Sequence, residues 1–157
     1  MNYAIRKATL DDIQSLINLR VALLKEVGEL YSQKEEDSFR LATKQYLQTE
    51  MQTKQFVAYV VEVNGTVVSI SGITFFRRPP YIENLEGKEA YILNMYTLPQ
   101  HRGHGMAKQL LHHCIEECKK NDVKRIWLHS SADGEPLYKK IGFTYKSNEM
   151  ELFLIEK

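Results

Sequence analysis

Apolar residues near the start of the chain recur at helical spacing and predict two helices. Residues 3–8 are typical of a first strand, and the Thr9-to-Asp12 segment after it is typical of a helix start. This helix is expected to run to about Val27, just before Gly28, and its apolar stripe consists of Ile13, Leu16, Ile17, Leu23, Leu24 and Val27. A second, more polar helix is predicted over about residues 34–53.

The middle of the chain changes to segments that predict strands. Residues 55–62 and 67–76 flank Asn64-Gly65, a pair typical of the type I′ turn of a hairpin. Further strands are expected at 90–97, 125–129, 143–146 and 150–155, with helices at 106–118 and 134–141. This order of helices and strands predicts an α+β fold.

Length and composition predict one domain. The 157 residues are 43% hydrophobic and 26% charged, which suits one ordinary core. A formal net charge of +1 argues against a nucleic acid or an anionic membrane as a partner. Residues 67–76 form the longest apolar-leaning stretch, which is too short to span a bilayer, and no signal-peptide core follows Met1. A cytoplasmic location is therefore expected.

Two cysteines, Cys114 and Cys118, lie four residues apart on the predicted helix 106–118. At that spacing their Cβ atoms are about 5–6 Å apart, whereas a disulfide needs ~3.8 Å. Buried free thiols are therefore expected. His112 and His113 are neighbours that should point away from the cysteine face, so neither a zinc site nor a metal requirement is predicted.

A glycine-containing loop separates the strand 90–97 from the helix 106–118. Its sequence is Gln100-His101-Arg102-Gly103-His104-Gly105. The glycines allow a tight bend, and the first N–H groups of the next helix lack intrahelical partners, so the loop predicts a phosphate or pyrophosphate site. The Lys and hydroxyl residues of a Walker loop are missing, as is the third glycine of a dinucleotide fingerprint.

A second segment downstream adds to this motif. Residues 133–143 predict a short helix with Pro136 in its first turn and Gly142 at its end, and Ser131 or Asp133 can cap its start. The pattern Gln-x-x-Gly-x-Gly resembles the coenzyme A pyrophosphate loop of the GNAT superfamily, the acyl-CoA-dependent N-acetyltransferases. The pattern Leu-Tyr-x-x-x-Gly-Phe at 137–143 resembles the segment of that family whose tyrosine lies beside the coenzyme sulfur.

The resemblance implies a single GNAT-like domain over residues 1–157, with a mixed sheet of about six to seven strands and about four helices. In such a fold the strands at 90–97 and 125–129 splay apart, and acetyl-CoA lies in the wedge between them. The main chain at 95–97 would pair with the pantetheine arm. The coenzyme-binding residues so implied are Met95, Tyr96, Thr97, Gln100, His101, Arg102, Gly103, His104, Gly105, Met106, Ala107, Tyr138 and Lys140.

Thioester aminolysis requires stabilisation of the developing oxyanion, a proton for the thiolate and removal of the amine proton. The resemblance makes the Met95 N–H the oxyanion donor and Tyr138 the proton donor. The strand carries no acidic residue after Glu89. A water chain organised by Asn94 and Glu89 is therefore preferred to His129 as the route for the amine proton.

The predicted function is acetyl transfer from acetyl-CoA to a primary amine of a small molecule or peptide, by direct attack in a ternary complex. The resemblance implies an acceptor pocket between residues 28–37 and residues 77–82, and the acidic residues within 28–37 suggest a cationic acceptor. A homodimer is possible. A non-catalytic acyl-CoA-binding module and an unrelated phosphate-binding domain stay open as alternatives.

Overall fold

The computed structural model describes residues 2–146 and 148–155. Five strands form one mixed sheet in the order β1-β2-β3-β4-β5, in which β4 and β5 are parallel and the other neighbours are antiparallel. The strands are β1 (Ala4–Lys7), β2 (Phe56–Val63), β3 (Thr66–Arg77), β4 (Lys88–Thr97) and β5 (Arg125–Leu128). The helices are α1 (Ile13–Glu26), α2 (Gln33–Glu50), α3 (Met106–Lys120) and α4 (Glu135–Ile141).

The helix start predicted at Thr9 is confirmed and begins with a short 3₁₀ turn, Leu10–Asp12. Thr9 and Asp12 form a capping box. The Thr9 hydroxyl accepts a hydrogen bond from the main chain of the turn, and the Asp12 carboxylate accepts one from the Thr9 N–H. Asp12 also accepts two hydrogen bonds from Arg6 of β1, at 2.7 and 2.8 Å. The ion pair attaches the start of α1 to the edge of the sheet.

The hairpin between β2 and β3 turns at Asn64 and Gly65, as predicted. Their φ angles are 51° and 78°, and positive φ at both central residues is what a type I′ turn requires. Residues of β2 are buried continuously from Phe56 to Val61 because helices cover both faces of the sheet.

Two apolar clusters lie on opposite faces of the sheet. One packs α3 against it and includes Val57, Tyr59, Val61, Ile73, Ile92, Met106, Leu110, Leu111, Cys114, Cys118 and Tyr138. The other packs α1 and α2 against it and includes Ile13, Leu16, Ile17, Leu47, Phe56, Ala58, Val60, Ile70 and Tyr96. The helical layers hold β4 between them, which positions the site described below.

The two closing strands predicted at 143–146 and 150–155 are absent from the described part of the chain, so the expected six to seven strands become five. A groove of about 800 Å³ lies between β5, α4 and residues 142–146, and we call it the β5 groove. Because this groove separates residues 143–146 from β5, the two segments form no ladder. The outer edge of β5 therefore has no strand partner among the described residues.

Candidate functional site

The parallel strands β4 and β5 pair along only part of their length. Their register runs from Glu89↔Arg125 to Ile92↔Leu128 and stops there, whereas β4 continues to Thr97. From residue 93 onward, the β5 side of β4 has no strand partner among the described residues. The main chain at 93–97 can therefore accept an extended ligand in place of a strand.

A β-bulge interrupts β4 at the point where the two strands separate. On one side Ile70 pairs with Tyr96, and on the other Gly72 pairs with Leu93, so two residues of β4 stand opposite Ser71. One of the two, Asn94, has a φ of 61°, which is uncommon for a residue other than glycine. Its buried Oδ1 accepts no hydrogen bond in the described structure. Backbone strain and an unpartnered polar atom together mark this position as a candidate reaction centre.

The predicted glycine loop follows β4 and leads directly into α3. Gly103 and Gly105 have φ angles of 84° and 79°, so both adopt the left-handed conformation for which glycine is suited. The first turn of α3 has neither a side-chain cap nor an acidic residue. Its free N–H groups and the positive end of the helix dipole form a site for an anion.

Two side chains hold this loop against the rest of the fold. The hydroxyl of Tyr3 donates a hydrogen bond to the carbonyl oxygen of His104 at 3.1 Å. The Arg102 guanidinium donates to both carboxylate oxygens of Glu26 at 3.0 Å and to the Thr97 carbonyl at 2.9 Å. The Arg102 side chain thus supports the loop, and its main-chain N–H donates to the Pro99 carbonyl oxygen at 3.3 Å.

The other residues predicted at the coenzyme site occupy both the surface and the interior. Met106 is buried at the start of α3, His101 and Ala107 are half-buried, and Gln100 and His104 are exposed at the loop. Lys140 is exposed on α4. Lys139 beside it forms an ion pair with Glu135 at 2.7 Å.

Tyr138 lies on α4 with its ring in the core and its edge in the β5 groove. Its hydroxyl makes no hydrogen bond with any described residue, and burial raises the pKa of this phenol above its usual value. The helix that presents it ends as predicted, with Gly142 at a φ of 122°. Tyr138 is therefore a neutral hydroxyl with its proton available for donation.

His129 follows β5 immediately, beside the point where β4 and β5 separate. Its Nδ1 lies 2.5 Å from the Tyr91 hydroxyl, and its Nε2 lies 3.2 Å from a carboxylate oxygen of Glu149. His129 was expected from the sequence, whereas its partners Tyr91 and Glu149 were not. Since Glu149 follows His129 by 20 residues, no local pattern could have paired the two.

Glu89 lies at the opposite end of the paired region, five residues from Asn94 along β4. At about 3.3 Å per residue this separates them by roughly 16 Å. The fully buried carboxylate accepts hydrogen bonds from Tyr81 at 2.5 Å, Arg125 at 3.0 Å and Arg78 at 3.2 Å. Burial raises the pKa of Glu89, but the hydrogen bonds from Tyr81 and Arg125 outweigh burial and hold the pKa below its usual value. The structure does not bring Glu89 to Asn94.

Replacing Glu89 with Gln is expected to lower the free energy of unfolding by about 3 kcal/mol, since two arginines lose a buried counter-charge. Because the pKa of Glu89 is lowered by folding, its contribution is present above the pKa of the unfolded chain and is lost as the pH falls through the lower folded value. Urea unfolding from pH 7 to pH 3 should show the two proteins converging at acidic pH. Glu116→Gln, at an exposed ion pair with Lys119, is the control and should cost under about 1 kcal/mol. An unchanged stability of Glu89→Gln would contradict this structural role.

A cavity of about 290 Å³ opens between α1, α2 and the sheet, on the face opposite α3. Apolar side chains dominate its wall. The lining also includes the amide of Asn94 at the bulge and the guanidinium of Arg20 from α1. Arg20 was not among the residues predicted from the sequence, although a cation at core spacing between Leu16 and Leu23 is a usable signal. Through Asn94 this cavity adjoins the strained position of β4.

The expectation of buried free thiols is confirmed for Cys114 and Cys118. Burial raises the pKa of each thiol to about 12, so neither is a thiolate at neutral pH. Among residues 2–146 and 148–155, no three metal-ligating side chains are grouped together. Over the same ranges, no helix combines the length and apolar character needed to cross a membrane.

This arrangement of loop, bulge and tyrosine agrees with comparisons to known proteins. The model of the Acetyltransferase (GNAT) family matches residues 21–143, which include the glycine loop and α4. The chain belongs to the GNAT acetyltransferase family. An unrelated phosphate-binding domain, one of the alternatives above, is thereby excluded.

Solved structures of other proteins resemble this GNAT chain. A predicted acetyltransferase with acetyl-CoA from Clostridium acetobutylicum has a solved structure that is 30% identical, with a TM-score of 0.87 over 98% of this chain and 97% of that one. A GCN5-related N-acetyltransferase from Ralstonia eutropha, 23% identical with a TM-score of 0.86, shares the fold over 98% of this chain and 99% of its own.

Curated relatives are more distant or match over less of their length. An N-acetyltransferase of Methanocaldococcus jannaschii is 26% identical over 92% of this chain and 62% of its own length. The N-acetyltransferase YsnE of Bacillus subtilis is 38% identical over 41% of this chain and 46% of its own length. The chain thus spans between about half and three fifths of the curated relatives it matches.

Proposed function

We propose that this GNAT chain transfers the acetyl group of acetyl-CoA to an amine by direct attack in a ternary complex. The observation that carries the proposal is the bulge at Asn94, which stands between the open wedge of β4 and the cavity beside α1. A thioester in the wedge and an amine in the cavity would meet there. Use of acetyl-CoA is also supported by the acetyltransferase from Clostridium acetobutylicum, whose structure is described with that molecule.

The coenzyme would be held mainly by the main chain. The side of residues 95–97 that faces away from β3 would pair with the pantetheine arm, and the N–H groups from Gly103 to Met106 would hold the pyrophosphate. The N–H of Met95, freed by the bulge, is the candidate donor for the thioester oxygen as negative charge develops on it. The Asn94 side chain is placed to orient the attacking amine.

The proton of the amine has a better route through His129 than through Glu89. Glu89 is held by three hydrogen-bond donors and lies far from the bulge, whereas His129 lies beside the end of the β4–β5 pairing. Glu149 accepts from Nε2–H and orients the ring, so the lone pair of Nδ1 faces the Tyr91 hydroxyl, through which a proton can reach His129. We therefore assign His129 the role of base, reversing the preference suggested by the sequence.

The proposed chemical step gives a route for the amine proton and a source for the proton of the leaving thiolate. The amine nitrogen attacks the thioester carbon, its proton passes to the Tyr91 oxygen as the Tyr91 proton moves to Nδ1 of His129, and the C–S bond breaks as the amide forms. The departing thiolate takes the proton of the Tyr138 hydroxyl, which burial keeps neutral.

Thiol release from acetyl-CoA, measured with a panel of primary amines, tests the proposed function. Amine-dependent release with formation of the N-acetyl product is the expected result. Titration calorimetry with acetyl-CoA separates this outcome from the alternative, because a binding module would bind acetyl-CoA without releasing thiol for any amine.

Replacing His129 with Gln is expected to lower kcat by about 100-fold, at the lower end of general-base effects. The KM for acetyl-CoA should stay within about twofold, since His129 acts on the amine. His112→Gln, which changes an exposed histidine of α3, is the matched control and should retain full activity. Wild-type kcat in His129→Gln would remove the base assignment.

A further inference from the structure

The cavity beside Asn94 contains a cation without an acidic partner. Arg20 is half-buried, and its guanidinium carbon stands 5.3 Å from the centre of the Phe39 ring. No described carboxylate forms an ion pair with it, and Glu29, the acidic residue whose charge acts on it, is exposed. Burial lowers the pKa of Arg20, the direction expected for a desolvated cation.

Three of the four acidic residues expected to attract a cationic acceptor are engaged elsewhere, and the fourth, Glu29, is exposed and does not line the cavity. Glu35 accepts a hydrogen bond from the Tyr31 N–H at 3.1 Å, and Asp37 accepts one from Gln33 at 2.9 Å. Glu36 forms ion pairs with Lys25 and Arg40. None of these three acidic residues lines the cavity, so its charge is positive.

Building on the proposed acetyl transfer, we propose that the acceptor is a small amine that carries both a carboxylate and an apolar body, as an apolar amino acid does. Its carboxylate binds Arg20, for which a planar guanidinium is well suited. Its body packs against Phe39, Tyr46 and Phe56, and its amine lies at Asn94. A volume of about 290 Å³ suits a molecule of amino-acid size and is too small for an aminoglycoside.

Phenylalanine and phenethylamine form a matched pair for the test, since they differ in the carboxylate. In the thiol-release assay, kcat/KM for phenylalanine should exceed that for phenethylamine by about 10- to 100-fold. Arg20→Gln should remove this preference and leave phenethylamine within about twofold of its wild-type rate. Lys44→Gln, an exposed cation of α2 outside the cavity, is the control and should keep the preference.

Folding of Arg20→Gln is checked by an unchanged affinity for acetyl-CoA. Equal rates for the two amines in the wild type, or a preference that survives Arg20→Gln, would overturn the inference while acetyl transfer stands. Absence of thiol release with every amine tested would overturn the proposed function, and the acceptor inference with it.

Discussion

Replacing Gly105 with Val is expected to abolish acetyl-CoA binding while the protein stays folded. A β-branched residue at a φ of 79° is strained by about 1–3 kcal/mol. The loop relieves this strain by rotating its peptide groups, which turns the N–H groups away from the pyrophosphate. The new Cβ would meet only the Tyr3 hydroxyl, at 3.9 Å, so the damage comes through the main chain and not through a collision. Titration calorimetry with acetyl-CoA measures the loss.

Gly65→Val is the matched control for this prediction. Gly65 lies in the β2–β3 turn with a φ of 78°, and a Cβ added to it would meet no described atom within 4 Å. Gly65→Val therefore imposes the same backbone strain away from the glycine loop, and the affinity for acetyl-CoA should remain near the wild-type value. A folded Gly105→Val protein with unchanged affinity would remove the assignment of the loop.

Replacing Tyr138 with Phe is expected to lower kcat by about 100-fold, near the bottom of the range for a general acid. The effect should not be larger, because a thiolate is a tolerable leaving group with a pKa of ~8.5 by analogy with cysteine. The ring and its packing with Phe143 are retained, so the KM for acetyl-CoA should change little.

The pH dependence gives this prediction a second readout. Because burial raises the pKa of Tyr138, the wild type keeps its donor into the alkaline range. Above about pH 9 the thiolate needs less help, so the deficit of Tyr138→Phe should narrow. Tyr31→Phe, at a tyrosine that is 82% exposed, is the control. Wild-type kcat in Tyr138→Phe, measured where chemistry limits the rate, would leave Tyr138 as a packing residue.

Local features of the sequence were sufficient for most of the helices and strands. The Asn64-Gly65 turn, the Thr9 capping box and the glycines at 103 and 105 depend on conformational preferences within a few residues. The matched family model covers the loop and the tyrosine segment that suggested it. Sequence alone therefore located the glycine loop and the helix of Tyr138, on which the proposed coenzyme site and proton donor depend.

Contacts between distant segments were beyond the reach of such patterns. Glu89 was expected to organise a water chain together with Asn94. Its carboxylate instead accepts a hydrogen bond from Arg125, 36 residues away. The Tyr91 hydroxyl meets His129 across 38 residues, and Arg20 becomes significant only where α1, α2 and β4 enclose a cavity. Each of these contacts depends on which side chains face each other, and strand register and helix packing determine that.

The predicted closing strands show the same division between local and tertiary information. Residues 143–146 and 150–155 have the composition of strands, but neither forms a strand in the described structure. A strand also needs a neighbour for its hydrogen bonds, and the β5 groove leaves residues 143–146 without one among the described residues. The sequence thus determined most of the elements and the turns. Only the tertiary structure decided which residues surround the proposed reaction centre, because pairing and packing join segments that are distant along the chain.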